Sequence, residues 1–419
     1  ISSSRATDAR PPEIIELLDG WADNVFRVGE AFGTIGAVHQ GVVYEITTYR
    51  SDVYREDSRK PQVDFSDDIE TDLSRRDFTV NAMAIRIPAT EDTQPEMVDP
   101  YNGLVDLAAQ LLRTPVDPEI SFGDDPLRML RLYRFVASLG FSPDQAAVDS
   151  VVRMRSRLSI ISAERIRDEL SKLMVGGHVA DGLWGLIRTG LAQEFLPELA
   201  ALELEQDPVH HHKDVLAHTV AVGSKTSPIE TLRLAALFHD VGKPATREFG
   251  SQGVSFHHHE VVGARVTRER MRALRYPKEL TRDVSQLVFL HMRPHTYKMG
   301  WTDSAVRRYV RDAGDLLPLL NELVRCDVTT RSQKRARVIA RRIDELEERI
   351  VELREQEELD ALRAPIDGND VMEYLGLAPG PQVGEAMRLL LEHRIEHGPY
   401  DAAEAHRLLD EWWAARSSD

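Results

Sequence analysis

One cysteine in 419 residues, Cys326, excludes a disulfide framework within the chain and fits a reducing compartment. Any metal site must then be built from histidine and carboxylate. An uninterrupted apolar run of about 18 residues is absent, and the opening ISSSRATDARPPEI lacks the apolar core of a signal peptide. The expectation is a cytoplasmic protein with no membrane association. Positive charge is also in deficit: 52 basic residues face 69 acidic ones, a formal net charge of −17. That balance argues against non-specific coating of nucleic acid and confines any RNA contact to local basic patches. Internal repeats are lacking.

What remains is an ordinary globular composition, 42% hydrophobic and 29% charged, on a chain too long for one core. Two to four domains are expected. The stretch Gly123–Phe135, GDDPLRMLRLYRF, organises the rest. Pro126 suits the first turn of a helix, so Asp125 falls near its N-cap and Arg128 one turn inside, side by side with Asp125. An acceptor beside a donor matches one edge of cytosine, and of adenine, while uracil and guanine present the reverse. Each unpaired buried polar group costs about 1–3 kcal/mol, enough to discriminate. The plainer alternative is a helix cap with a local ion pair.

Residues 24–50 alternate apolar and polar positions around glycines and predict strands in a hairpin. Val42, Tyr44 and Ile46 then share one face; Val43, Glu45 and Thr47 share the other, and Glu45 is a candidate metal-binding carboxylate. Residues 51–74 are dense in charge and read as a loop. Asp99-Pro100 and Asn102-Gly103 are turn signals ahead of a short helix. From about Asp117 to Glu205 the pattern is helical, with Arg128, Arg131 and Arg134 recurring every third residue as a basic stripe. Residues 331–342 hold six basic residues in twelve, Arg331, Lys334, Arg335, Arg337, Arg341 and Arg342, a candidate RNA-phosphate contact. Ile339, Ile343, Leu346, Ile350 and Leu353 follow as a short coiled-coil-like seam that fits a helical hairpin.

Most histidines fall within 207–330. His239-Asp240 ends the apolar segment LRLAALF and is followed by Gly242 and Lys243. An imidazole and a carboxylate adjacent at a helix end suit a divalent cation. His218 and Asp327 are suited as distant ligands, and His259 and His291 allow a second metal; Lys243 is the candidate catalytic cation beside them. Runs such as His210–His212 and His257–His259 also fit solvated loops.

In this order, RRDFTVNAMA, DPYNGLVDL and GDDPLRMLRLYRF resemble successive motifs of the bacterial class II tRNA nucleotidyltransferases, the CCA-adding enzymes and their poly(A) polymerase relatives. The resemblance extends over residues 6–419. The HD doublet resembles the HD phosphohydrolase domain that many of them carry. An α+β fold is implied: a small, incomplete nucleotidyltransferase β-sheet head over 1–116, a helical neck over 117–205, an HD domain over 206–330 and a helical tail over 331–419. By the same resemblance Asp125 and Arg128 read CTP and ATP, and Arg131 lies near the nucleotide. Arg76, Asp77 and Asn81 hold ribose and triphosphate, and Glu45 accompanies a catalytic Asp-x-Asp. The loop around Asp57, Arg59 and Pro61 matches the element linked to the switch from C to A addition. The resemblance places a Gly-rich turn and the Asp-x-Asp that binds two Mg²⁺ ions just before the TDARP segment. The expectation is that a stretch upstream of Ile1 carries them.

The implied activity is template-independent addition of CCA to the 3′ end of tRNA from CTP and ATP, with Mg²⁺ for transfer and a divalent metal in the HD domain. The HD domain is expected to act on 2′,3′-cyclic or terminal phosphates of damaged RNA ends, and a homodimer is compatible with this reading. Alternatives are a poly(A) polymerase, an HD metal phosphohydrolase with an inactive RNA-binding head, and a noncatalytic tRNA-binding protein.

Overall fold

The computed structural model describes residues 5–53, 62–87, 94–204, 214–250, 253–299, 301–328, 333–357 and 363–416. It is α+β. The chain divides into two compact units, residues 1–203 with 270–276, and residues 204–269 with 277–419. Among the described residues, no helix is long and apolar enough to cross a membrane.

The first unit opens with a four-stranded sheet in the order Arg5–Thr7, Val42–Thr48, Thr34–His39, Asn24–Phe26. The first pair is parallel and the others antiparallel. Gln40 and Gly41, both with positive φ, form the two-residue turn between the long strands. Left-handed backbone at both central positions matches the twist of paired strands, which is why Gly41 stands there. The helix Pro11–Leu18 lays Ile14 and Leu18 onto Ile35 and Ala37, with Tyr44 and Ile46 packed alongside. The alternation expected for 42–47 therefore holds for Tyr44 and Ile46, and Glu45 is exposed.

The charged stretch 51–74 is a correction to the loop reading. Its described parts are a strand pair, Arg50–Val53 with Gln62–Phe65, and a helix, Ile69–Ser74. Asp68 caps that helix through Glu70 N and Thr71 N, and Asp72 is buried between Arg75 and Arg76, where its charge is paired rather than solvated. Asp57, Arg59 and Pro61 lie outside the described residues. The short helix Gly103–Ala108 follows the foreseen turn, with Asp99 accepting from Gly103 N and Leu104 N.

The helical part of the first unit is built around the helix Leu127–Leu139, which packs against Ala163–Met174 and Val179–Arg188. Burial of Leu127, Met129, Leu130, Leu132, Tyr133, Val136 and Ala137 leaves one narrow face for its arginines.

In the second unit the helix Glu230–Phe238 is buried from Leu232 to Phe238 and lies among Val215–Lys225, Lys278–Leu290 and Leu317–Cys326. A helix buried along seven consecutive residues has to be central. The seam Ile343, Leu346, Ile350 and Leu353 belongs to the helix Gln333–Glu357 and is buried on Asp303–Ala313 and Leu317–Cys326. The last helices, Gly368–Leu375, Pro381–His397 and Ala402–Arg416, share a core of Val371, Ala386, Leu390, Ala405 and Leu409.

Candidate functional site

In the second unit, His239 stands just past Phe238 at the end of the central helix, with Asp240 next to it. Both are fully enclosed. His218 projects from Val215–Lys225, His259 opens His259–Ala273, His291 ends Lys278–Leu290, and Asp327 ends Leu317–Cys326. The structure brings all six together. Asp327 Oδ1 lies 2.8 Å from His218 Nε2 and 3.5 Å from His239 Nε2. Asp240 is shared: Oδ2 lies 3.2 Å from His239 Nε2 and 3.6 Å from His218 Nε2, while Oδ1 lies 3.6 Å from His259 Nε2. His218, His239 and Asp240 form one group of converging ligand atoms, and Asp240, His259 and His291 another.

Hydrogen bonding sets the rings for coordination. The Nδ1 atoms of His239, His259 and His291 face the carbonyls of Ala236, Phe256 and Val288 at 2.8, 2.8 and 2.6 Å. A carbonyl can only accept, so each Nδ1 carries the proton and, in a neutral ring, each Nε2 presents a lone pair inward. Yet His218 and His239 Nε2 stand 3.2 Å apart, and His259 and His291 Nε2 3.3 Å apart. For His259 and His291 this sets two lone pairs face to face, which calls for a proton or a cation between them, while His218 Nε2 also meets Asp327 Oδ1 at 2.8 Å; the donor set of imidazole and carboxylate fits a divalent metal. The electrostatics of the cluster point the same way. Burial works against a charged His239, but Asp240 and Asp327 outweigh it and raise the ring to about 10. Burial, reinforced by His239, pushes His291 down to about 3. Asp240 and Asp327 are held well below the usual carboxylate range, against their burial, by the surrounding imidazoles and, at Asp240, by Lys243.

Lys243 donates to Asp240 Oδ2 at 2.7 Å. Gly242 between them is required by close approach: a Cβ there would lie 2.1 Å from the His259 carbonyl oxygen. His295, absent from the expected set, donates from Nε2 to Asp327 Oδ2 at 3.2 Å. Its signal was present as the histidine four residues past His291 in HMRPH. His210–His212 lie outside the described residues.

In the first unit each member of the expected Asp125–Arg128 pair has partners of its own. Asp125 is extended and precedes the helix; its Oδ1 accepts from Leu127 N and its Oδ2 meets Arg165 at 2.7 Å. Arg128 is buried and turns elsewhere, donating to Ser121 O at 3.2 Å, Ser121 Oγ at 2.9 Å and the Arg75 carbonyl. The two carry an acceptor and a donor, but each is oriented by long-range partners that spacing cannot show.

Arg75 is itself pinned. Its guanidinium pairs with Asp72 Oδ1 at 2.7 Å and donates from Nε to Arg50 O at 3.1 Å. Arg76 pairs with Asp72 Oδ2 at 2.8 Å. One turn past Arg128, Arg131 pairs with Asp77 and with Glu169, and Arg134 with Glu169 at 3.0 Å. Asn81 donates to Asp77 Oδ1 at 3.0 Å. Within the basic stripe, Arg131 and Arg134 are thus answered by acids, and Arg128 by a hydroxyl and main-chain carbonyls. Burial alone would raise Asp72 and Asp77, yet the arginines beside them lower both.

A depressed carboxylate adds stability above its unfolded pKa of about 4, and that contribution is lost as pH falls through the lower folded value. The first unit should therefore lose thermal midpoint as pH drops from about 4 to about 2. Asp77→Asn should show a shallower loss, as circular dichroism melts across a pH series would reveal.

Among the described residues, the groups of three or more metal-ligating side chains are the two in the second unit. Glu45 stands outside both, so these residues by themselves do not fit a two-ion centre in the sheet. Lys334, Arg337 and Arg341 are exposed on Gln333–Glu357 and Arg342 is half-buried; Arg331 and the Arg335 side chain lie outside the described residues.

Family comparisons match this architecture. Residues 5–113 match the poly A polymerase head domain, 140–203 the probable RNA and SrmB-binding site of polymerase A, and 209–353 the HD domain. These define a nucleotidyltransferase with an HD domain. An A-adding tRNA nucleotidyltransferase of Deinococcus radiodurans is 34% identical over 358 residues, 82% of this chain and 79% of that protein. A CC-adding tRNA nucleotidyltransferase of Thermus thermophilus is 34% identical over 367 residues, 84% of this chain and 79% of that one. The crystal structure of the Bacillus stearothermophilus CCA-adding enzyme in complex with CTP shares the fold, with a TM-score of 0.67 at 22% identity over 99% of this chain and 89% of that chain. The chain belongs to the tRNA nucleotidyltransferase and poly(A) polymerase family.

Proposed function

We propose that this protein adds C, C and A to the 3′ end of tRNA from CTP and ATP, with Asp125 and Arg128 selecting the base. The observation that carries this is the anchoring of Arg128 on Ser121 and Arg75. A guanidinium has five N–H groups. Three of them are engaged there, so the group is held rigidly with donors left for a base edge. Asp125, fixed by Leu127 N and Arg165, remains an acceptor. Arg76, Asp77, Asn81 and Arg131 form the adjoining network, assigned to ribose and triphosphate. Glu45 is the strand carboxylate assigned to the transfer site. The exposed cations of 334–341 are the tRNA-phosphate contact.

The HD centre is proposed as a metal phosphohydrolase for RNA-end phosphates, with His218, His239, Asp240, His259, His291 and Asp327 as ligands and Lys243 as the cation at the reacting phosphate. A divalent cation bound there polarises a phosphoester and acidifies a water. The protein holds Asp327 through His295 and directs the imidazoles of His239, His259 and His291 through main-chain carbonyls.

A second reading, A-only addition, is favoured by the A-adding Deinococcus relative. The intact protein, given tRNA that ends before the CCA, separates them. With CTP alone, two C residues are expected, and with CTP and ATP the complete CCA. Addition of A but never C would establish the second reading.

A further inference from the structure

The HD cluster opens on a cavity of about 440 Å³, within the ~300–1,000 Å³ usual for small-molecule sites. His259, a candidate ligand, forms part of its wall together with Phe256, His258, Met292 and His295. His258 has a left-handed backbone, with φ of +60°, uncommon outside glycine although histidine is one of the side chains enriched there. The turn has a local purpose. Phe256 O receives His259 N at 3.4 Å and His259 Nδ1 at 2.8 Å, and His258 O starts the helix by accepting from Val261 and Val262 N. Aiming His259 at Asp240 thus demands a left-handed residue just before it.

Glycine meets that demand with least strain. An imidazole meets it at a cost, and strain of this kind is informative when the side chain faces a reaction cavity. The His258 side chain is 83% exposed and sits 3.9 Å from Glu260, so little in the folded chain holds it. Its neighbours supply what a nucleotide needs: Phe256 and Met292 are apolar surfaces for a base, and the ligand cluster is the phosphate end.

Building on the phosphohydrolase reading, we infer that His258 is a substrate-binding residue of the HD centre, donating an imidazole N–H to a phosphate oxygen of a nucleoside phosphoester. The ring binds as a hydrogen-bond donor and lies outside the metal ligand set.

The test uses the full chain loaded with Mn²⁺, 2′-AMP as the binding probe and 2′,3′-cyclic AMP as the substrate. His258→Gly should weaken 2′-AMP binding and raise KM at least tenfold, with kcat changed far less, metal content unchanged and melting midpoint equal or higher. His258→Asn, which tolerates the left-handed backbone and keeps a donor, should recover part of the loss. Unchanged binding and KM in His258→Gly, or loss of metal along with binding, would overturn the assignment alone. A wild-type protein that neither binds 2′-AMP nor hydrolyses the cyclic substrate would overturn the phosphohydrolase reading and this assignment together.

Discussion

With the HD cluster as the proposed metal phosphohydrolase centre, Asp240→Asn is expected to abolish divalent-metal binding and phosphoester hydrolysis together, while tRNA extension continues. Asp240 is the one carboxylate common to both ligand groups, with one oxygen toward His218 and His239 and the other toward His259. Asparagine preserves shape but removes the charge and one acceptor oxygen. It also leaves Lys243 without its 2.7 Å anion, so positive charge accumulates where a cation must bind. Removing a partner behind a metal ligand costs about 10–100-fold in affinity or activity, and removing the shared ligand should exceed that. Metal content by plasma mass spectrometry and hydrolysis of 2′,3′-cyclic AMP provide the readouts. Wild-type metal occupancy and turnover in the variant would eliminate the shared-ligand assignment. Nucleotide incorporation, whose candidate nucleotide-binding residues belong to the first unit, serves as the internal control.

The second large effect is expected at Arg128. Arg128→Lys keeps the charge but replaces a planar fork with a single ammonium, which cannot meet Ser121 and Arg75 and still face a base. With about 1–3 kcal/mol per lost polar contact, preference for CTP over UTP should fall by roughly 10–100-fold. Asp125→Ala should erode the same preference by removing the acceptor. Incorporation assays with each of the four nucleotides measure this directly. If both variants discriminate as well as the parent, base choice resides elsewhere. Arg75→Ala is the informative companion, because it removes the pins to Asp72 and Arg50 while leaving the carbonyl that Arg128 uses. Its effect on selectivity should be smaller than that of Arg128→Lys.

The HD centre was legible because its parts are chemically rare: an imidazole-carboxylate doublet ending an apolar helix leaves few roles other than metal binding. His295 escaped notice because it acts through Asp327, and contact between side chains 32 residues apart leaves no local trace. The stretch 51–74 misled for another reason. Charge density was read as solvation, although Asp72, Arg75 and Arg76 stand at helical spacings of three and four that pair acids with bases. Asp125 and Arg128 stand at the helix start that the sequence predicts, but their orientation depends on Arg165, forty residues onward, and on a main-chain oxygen at Arg75. Periodicity reveals a helix face; it does not reveal which distant group that face will meet.

That oxygen at Arg75 has a consequence for how fidelity can be lost. Every amino acid possesses one, so exchanging the residue at this position leaves the grip on Arg128 chemically intact. Shifting the chain does not: adding or deleting a single residue between Asp68 and Arg75 would carry the oxygen out of reach. Errors in nucleotide choice should therefore arise from insertions and deletions in this segment more readily than from substitutions at position 75.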